Sequence, residues 1–232
     1  MPPRPALSTT SYAILGMLAV RPWTAYELTR QLRRGLRHCW PKAESVLYDE
    51  PKRLVRLGLA TARDEPAGRR TRAVYTITGE GRRALAAWLA TPPAPPRLEI
   101  ETMLRLLYAD QGSKDDVLAA IATIREWAAE RLVEGRDQVQ GYLDDGGPFP
   151  SRLHIIALFA RFYGDLFELV LRWADLAAAE VAAWPRSDSV GMTERTRQLL
   201  EELVARLGPL ADRELAAERP PALPSGIRRA GR

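Results

Sequence analysis

Residues 41–59, PKAESVLYDEPKRLVRLGL, decide how this chain folds. Leu47 and Leu54 stand seven positions apart, with Val46 close to the same side, so a helix would place these side chains on one apolar face. Such a face packs against a core. The glycine near the end of the stretch is typical of a helix terminus. The sequence therefore predicts an amphipathic helix over about residues 42–57.

The opposite side of this predicted helix is polar. Its members stand three, four or seven positions apart: Ser45, Tyr48, Asp49, Lys52 and Arg56. Hydroxyl groups and cations suit phosphate oxygens and base edges in a DNA major groove. Taken in isolation, such a face is more typical of a solvated helix. In the context described below, we expect DNA contacts from Lys42 (beside the free amides at the start of the helix), Ser45, Tyr48, Lys52 and Arg56.

Two further helices are predicted ahead of this stretch. Residues 12–20 are almost continuously apolar, which favours a buried helix with Ser8 or Thr9 near its cap. Thr24 and Glu27 have the spacing of a capping box, in which each side chain accepts a bond from the other residue's backbone amide. They open a second helix to about residue 36. Its inward side is predicted to hold Tyr26 or Leu28 together with Leu32, and its outward side Arg30, Arg33, Arg34 and Arg37.

A β-hairpin is predicted after the third helix. Residues 59–63 and 72–77 alternate in polarity, which is strand periodicity, and residues 66–70 between them have turn composition. Thr78 is placed to cap a fourth helix. Cations cluster at the tip of this hairpin: Arg69, Arg70 and Arg72. Three helices followed by a two-stranded hairpin with a basic tip is the order of a winged helix-turn-helix.

The charge distribution points to a polyanionic partner for the front of the chain. Residues 1–90 carry 16 basic and 7 acidic side chains, whereas residues 91–232 carry 18 and 22. A basic surplus confined to one part of a chain is typical of binding to nucleic acid. We therefore expect residues 1–90 to bind DNA.

The motifs of this region resemble those of PadR-like transcriptional regulators. The similar stretches are LSTTSYAILG at residues 7–16, PKAESVLY with KRL and GL between residues 41 and 59, and RRTRAVYTIT at residues 69–78 with Gly81. Residues 98–183 share only the layout of the longer, virulence-activator-like branch. The resemblance implies a ligand- or signal-responsive repressor that binds inverted-repeat operator DNA as a homodimer.

One residue departs from the family pattern. Pro51 falls where an apolar helix residue is more common, and a proline inside a helix costs about 3 kcal/mol. Asp49 or Glu50 could cap a renewed helix that has Pro51 at its first position. The expectation is a kinked third helix, with Ser45 and Tyr48 before the kink and Lys52 and Arg56 after it.

Prolines and glycines divide the rest of the chain. Residues 91–97 are a predicted proline-rich linker, residues 98–218 an all-α dimerisation and effector domain, and residues 219–232 a disordered tail. Ser113 and Ser151 are predicted to cap two long amphipathic helices, and a further helix is expected from Thr193. Their continuous apolar faces need a partner surface, for which a second copy of the chain is the economical choice. A monomeric bundle is the alternative.

Aromatic side chains in this rear part suggest an effector site. A small aromatic or hydrophobic effector could be bound by Trp127, Phe159, Phe162 and Trp173. Some relatives bind flat aromatic compounds, but an aromatic stripe at helical spacing is more often ordinary core.

Other functional classes have little support in the sequence. The single cysteine, Cys39, and the two separated histidines, His38 and His154, disfavour a metal site and a nucleophilic enzyme, so no cofactor is expected. The early apolar run is too short for a bilayer, which needs about 20 residues. A cytoplasmic protein without membrane contact is therefore expected. A winged-helix adaptor without DNA binding is the alternative function, because Asp49 and Glu50 lie beside the predicted DNA face.

Overall fold

The structure, a computed structural model, describes residues 6–36, 44–67, 70–188 and 191–216. The chain divides into two compact units, Met1–Arg97 and Leu98–Arg232. Lys42 and Arg69, two predicted DNA contacts, lie outside the described residues, as do His38, Cys39 and the predicted tail.

The first unit has the element order of a winged helix-turn-helix, as predicted. Its elements are α1 (Thr9–Val20), β1 (Trp23–Thr24), α2 (Ala25–Leu36), α3 (Glu44–Arg56), β2 (Ala60–Ala67), β3 (Arg70–Ile77) and α4 (Gly79–Leu89). The two-residue strand β1 was not expected. It pairs with β3 and makes a three-stranded antiparallel sheet in the order β1-β3-β2.

The β2–β3 hairpin is longer than predicted. Its pairing runs from Ala60 opposite Ile77 to Ala67 opposite Arg70. The predicted turn residues Pro66 and Arg70 therefore belong to the strands, because the ladder continues past the proline. This lengthens the wing beyond the alternating residues that identified it.

Side-chain caps begin the helices where the sequence places hydroxyl groups. Ser8 and Ser11 form a capping box at α1, and Thr78 accepts a bond from the Gly81 amide at α4. At α2, the Glu27 carboxylate accepts bonds from the backbone amide and the hydroxyl of Thr24, both at 2.9 Å. These two bonds, followed by the charges of nearby arginines, lower the pKa of Glu27 below its ordinary value.

The core of the first unit lies under α3. Leu28, Leu47 and Leu54 are buried, as predicted. Of the alternatives Tyr26 and Leu28, the structure buries Leu28 and leaves Tyr26 61% exposed, whereas the expectation for Val46 was wrong, because it is 43% exposed. Both exposed residues lie at the edge of their helix's apolar stripe, where residue type alone does not determine burial.

The second unit is all helical over its described residues. It comprises α5 (Glu101–Leu107), a short 3-10 helix (Ala109–Gln111), α6 (Lys114–Asp145), another 3-10 helix (Pro150–Arg152), α7 (Leu153–Ala183) and α8 (Glu194–Ala216). Ser113 caps α6, as predicted, but Ser151 does not cap α7 because it lies inside the second 3-10 helix. None of the described helices combines the length and the apolar character that a membrane span needs.

Helices α6 and α7 pack along each other. Their shared core contains Val117, Ile121 and Ile124 on α6, with Ala174 and Val181 on α7. The Lys114 ammonium donates to the carbonyls of Ala182 and Trp184 at 2.6 and 2.9 Å, which fastens the start of α6 to the end of α7. Small residues on α7 allow this close packing.

Among the described glycines of the first unit, Gly81 has the least room for a side chain, and its replacement by alanine should destabilise the fold. A Cβ at this position would lie 2.1 Å from the Leu59 carbonyl oxygen and 2.8 Å from Ile77. We expect Gly81→Ala to lower the free energy of unfolding by about 1–3 kcal/mol, measured by urea denaturation. The control is Gly79→Ala, where a Cβ would meet only the flexible Arg83 guanidinium at 3.7 Å. Equal stability of the two variants would contradict this prediction.

Glutamate 27 should make the stability of the protein pH-dependent. Since its folded-state pKa is lowered, the ionised carboxylate contributes stability above the ordinary value of 4.5, and this stability is lost as the pH falls through the folded-state pKa. We expect Glu27→Gln to cost about 0.5–2 kcal/mol at neutral pH and to flatten the acid limb. Urea denaturation at several pH values measures both effects, with Asp64→Asn, at an exposed carboxyl, as the control. An acid limb as steep as that of the wild type would exclude Glu27 as its source.

Candidate nucleic-acid interface

The exposed side of α3 is polar, and its buried side holds it on the core. Ser45 and Arg56 are exposed, Tyr48 is half-buried, and Leu47 and Leu54 face the interior. The structure therefore brings Ser45, Tyr48, Lys52 and Arg56 to one side of one helix, as the spacing predicts. Hydroxyl, phenol and cationic groups on an exposed helix face suit phosphate oxygens and base edges.

The two acidic residues beside this face have partners of their own. Asp49 lies 3.1 Å from Lys52, in an exposed pair on the surface of α3. The Glu50 carboxylate turns to the other side, where it accepts bonds from Ser11 and from Arg53. Neither residue caps a renewed helix, because α3 continues through Pro51, which is fully buried. The expected helix restart at Pro51 was wrong.

Of the three arginines predicted for the wing tip, only Arg72 has a side chain that the structure describes. Arg72 is about half exposed and lies 3.7 Å from Glu65 on the neighbouring strand. The backbone of Arg70 pairs opposite Ala67 at the end of the ladder. A basic side chain on an exposed two-stranded wing is placed to reach a DNA backbone or minor groove.

The sequence did not predict a cleft that lies between the start of α2 and the wing. It has a volume of about 480 Å³ and is lined by Thr24, Ala25, Tyr26, Glu27, Arg30, Arg72 and Ala73. The Arg30 guanidinium lies 5.8 Å from the centre of the exposed Tyr26 ring. The outward arginines of α2 were a signal for this surface, but Tyr26 was a candidate for the core. The cleft joins α2 and the wing in one partly basic surface.

The predicted effector residues fall into two groups in the second unit. Trp127 meets Phe167 edge-on at 5.2 Å, and Phe159 and Phe162 each contact Tyr163, which lies 5.8 Å from Phe167. Three of the four residues thus lie along one chain of ring contacts. The fourth, Trp173, packs against the core between α6 and α7 instead.

A second cleft, which the sequence did not predict, lies where α5 meets α6. It also measures about 480 Å³, and its lining includes Leu104, Arg105, Tyr108, Asp116 and Val117. Bonds from the Ser113 hydroxyl and amide lower the pKa of Asp116, so that its carboxylate is held in the charged form at the helix cap. In the described part of the chain, no group of three or more His, Cys, Asp or Glu residues could hold a metal ion.

Comparison with known proteins agrees with the architecture of the first unit. The model of the transcriptional regulator PadR-like family matches residues 14–87. The negative transcriptional regulator PadR of Bacillus subtilis (strain 168) is 31% identical over 107 residues, which are 45% of this chain and 59% of that protein. The match therefore spans less than two thirds of this relative.

Solved structures share the fold at lower identity. Bacillus subtilis PadR in complex with operator DNA has a TM-score of 0.64 at 21% identity and covers 75% of this chain and 99% of its own. The Vibrio cholerae virulence activator AphA has a TM-score of 0.60 at 22% identity and covers 75% of this chain and 98% of its own. These structures show that the chain shares their fold, and residues 14–87 match the model of the transcriptional regulator PadR-like family.

Proposed function

We propose that this protein is a transcriptional regulator that binds operator DNA through α3 and the β2–β3 wing. The observation that carries the proposal is the exposed polar side of α3. Ser45 and Tyr48 lie on this side, and the other side of the helix is buried. A helix of this kind fits the major groove of B-DNA, while a wing beside it contacts the backbone. The name of the Bacillus subtilis relative, a negative regulator, supports repression as the sign of regulation.

The phosphate contacts of the proposal come from the basic side chains around α3. Lys52 and Arg56 supply cations on the helix, and Arg72 supplies one on the wing. Lys42, Arg69 and Arg70 belong to the same proposal on the basis of sequence alone. Tyr26 and Arg30 join them, because they line the cleft that also contains Arg72. Such contacts contribute affinity for any DNA sequence, and this affinity falls steeply as the salt concentration rises. They do not contribute to the choice of sequence.

The alternative function, a protein-interaction adaptor that has lost DNA binding, rests on the two acids of α3. Asp49 is bound to Lys52, and Glu50 points to Ser11 and Arg53. Glu50 turns away from the polar side, and the charge of Asp49 is balanced by Lys52. The two acids therefore do not make the polar side of α3 an anionic surface. This arrangement favours DNA over an adaptor role.

We further propose that the second unit makes a homodimer that binds the two halves of an inverted repeat. Large apolar side chains are exposed on α7 and α8, with Leu158 at 76%, Phe162 at 63% and Val204 at 70%. Apolar surface of this extent is typical of a subunit interface. A two-fold pair of α3 helices would contact half-sites about 34 Å apart.

A small aromatic or hydrophobic effector is the third part of the proposal. Bacillus subtilis PadR has been solved in complex with p-coumaric acid. In this chain the ring contacts that link Trp127, Phe159 and Phe162 offer an aromatic surface for a flat molecule. Trp173 remains a candidate on sequence grounds, although its ring packs in the core.

Tyrosine 48 should contribute a neutral hydrogen bond to operator binding. We expect Tyr48→Phe to weaken binding by about 0.5–1.5 kcal/mol per subunit, with an unchanged salt slope because the phenol carries no charge. Fluorescence anisotropy on duplexes selected from a random pool, at two or more salt concentrations, measures both quantities. The control is Tyr12→Phe, whose ring stacks on Trp88 at 4.8 Å. Wild-type affinity together with a lower melting temperature would assign Tyr48 to the core instead.

Negative charges introduced on the apolar side of α8 should dissociate the proposed dimer. We expect the double variant Val204→Glu, Leu207→Glu to sediment as a monomer and to bind operator far more weakly, because the linkage of two half-site contacts is lost. The control is Leu89→Glu, which places the same charge at an exposed leucine of the first unit. Sedimentation equilibrium decides the matter. A double variant that remains dimeric would move the interface away from α8.

A further inference from the structure

A partly buried polar network joins the predicted DNA-contacting helix to the start of the chain. The hydroxyl of Ser11, fully buried in the first turn of α1, donates to the Glu50 carboxylate at 2.5 Å. Arg53 donates to the same carboxylate at 2.7 Å and to the Ser11 hydroxyl at 3.3 Å. Its other terminal nitrogen donates to the Ala6 carbonyl at 3.2 Å. Two side chains of α3 are thus tied to α1 and to the residues that precede it.

These contacts flank the weak point of α3. Pro51 has no backbone N–H, so the helical bond to the Leu47 carbonyl cannot form, and an interior proline tends to bend a helix. Glu50 immediately precedes Pro51, and Arg53 follows it by two positions. The network therefore holds both sides of the proline against the same hydroxyl of α1.

We propose that Glu50 and Arg53 are positioning residues that brace α3 across Pro51 and so set how Ser45 and Tyr48 meet DNA. The inference rests on the proposed function and adds to it two residues that do not themselves contact DNA. Their side chains are 12% and 28% exposed, and they lie away from the polar side of the helix. Sequence discrimination depends on them because base contacts tolerate little displacement, whereas phosphate contacts are less exacting.

Charge and position predict opposite effects at Glu50. Glu50→Gln and Asp49→Asn each remove one negative charge from α3. Because DNA is a polyanion, the loss of an acid increases affinity for any duplex if charge alone acts. A positioning role predicts that Glu50→Gln instead lowers affinity for the preferred sequence. Asp49→Asn is therefore the control, because it removes the same charge at the neighbouring position. The Asp49 side chain is 75% exposed and, among the described contacts, is paired only with Lys52.

The experiment compares affinities of the full-length chain for two duplexes. One is selected from a random pool by the wild-type protein, and the other is a scrambled sequence of the same composition. We expect Glu50→Gln to bind the selected duplex about tenfold more weakly than the wild type does, which is the scale of one base contact. We expect it to bind the scrambled duplex as tightly as Asp49→Asn does. Melting temperatures show that each variant is folded at the temperature of measurement.

Pro51 provides a test of the mechanism and a second route if Glu50→Gln fails to fold. Pro51→Ala restores the missing backbone N–H. If the network braces the helix at this point, the loss of discrimination caused by Ser11→Ala, which removes the shared hydroxyl, should be smaller in the Pro51→Ala background. A purely structural network would lower the melting temperature in both backgrounds and leave discrimination unchanged.

Each result decides between the proposals. If Glu50→Gln and Asp49→Asn act alike on both duplexes, or if Ser11→Ala acts equally with and without Pro51, the positioning role is overturned while the proposed function stands. If the wild-type chain shows no preference among sequences, the proposed function fails and the inference fails with it. A loss of discrimination confined to Glu50→Gln and Ser11→Ala supports the positioning role.

Discussion

Burial of one side of α3 is the constraint on which the first unit depends. Leu47, Pro51 and Leu54 are excluded from water where α3 contacts α1 and α2. A buried leucine is worth about 2 kcal/mol, more than any exposed ion pair on the same helix. The rotation of α3 is therefore set by its apolar side, and its polar side faces outward as a consequence. The helix ends at Arg56, and Gly58, whose φ of 72° lies in the left-handed region, turns the chain into the wing.

Local signals predicted much of this unit, and distant contacts explain what they missed. The capping boxes at Ser8 and Thr24 join residues three positions apart, so the sequence displays both partners together. The bond from Ser11 to Glu50 spans 39 positions, and no local pattern reveals it. The effect of Pro51 was misjudged for the same reason, since a local rule treats the proline as a helix start whereas tertiary packing keeps it in the interior.

The second unit shows a different limit of sequence reasoning. Periodicity predicted long helices, but α7 carries apolar residues on most of its sides, so it did not reveal which side would be buried. The packed side holds Phe167, Ala174 and Val181, two of them small, whereas Phe159 and Phe162 remain exposed. Side-chain size therefore misleads on such a helix, because close helix packing selects small residues. The candidate effector residues differ in the same way, because Trp173 packs against the core and Trp127 meets the buried Phe167, whereas Phe159 and Phe162 are exposed.

The ion pairs of α3 and the wing differ in how readily their cations can turn to DNA. Asp49–Lys52 and Glu65–Arg72 are exposed pairs, a class worth about 0–1 kcal/mol each, and they are screened by salt. A phosphate can replace either carboxylate at little cost. The Glu50–Arg53 pair is partly buried and also bonded to Ser11, so separating it costs more than separating an exposed pair. Under the proposed function, this difference in burial separates the cations that could turn to the DNA backbone, Lys52 and Arg72, from Arg53, to which we assign the holding of the helix.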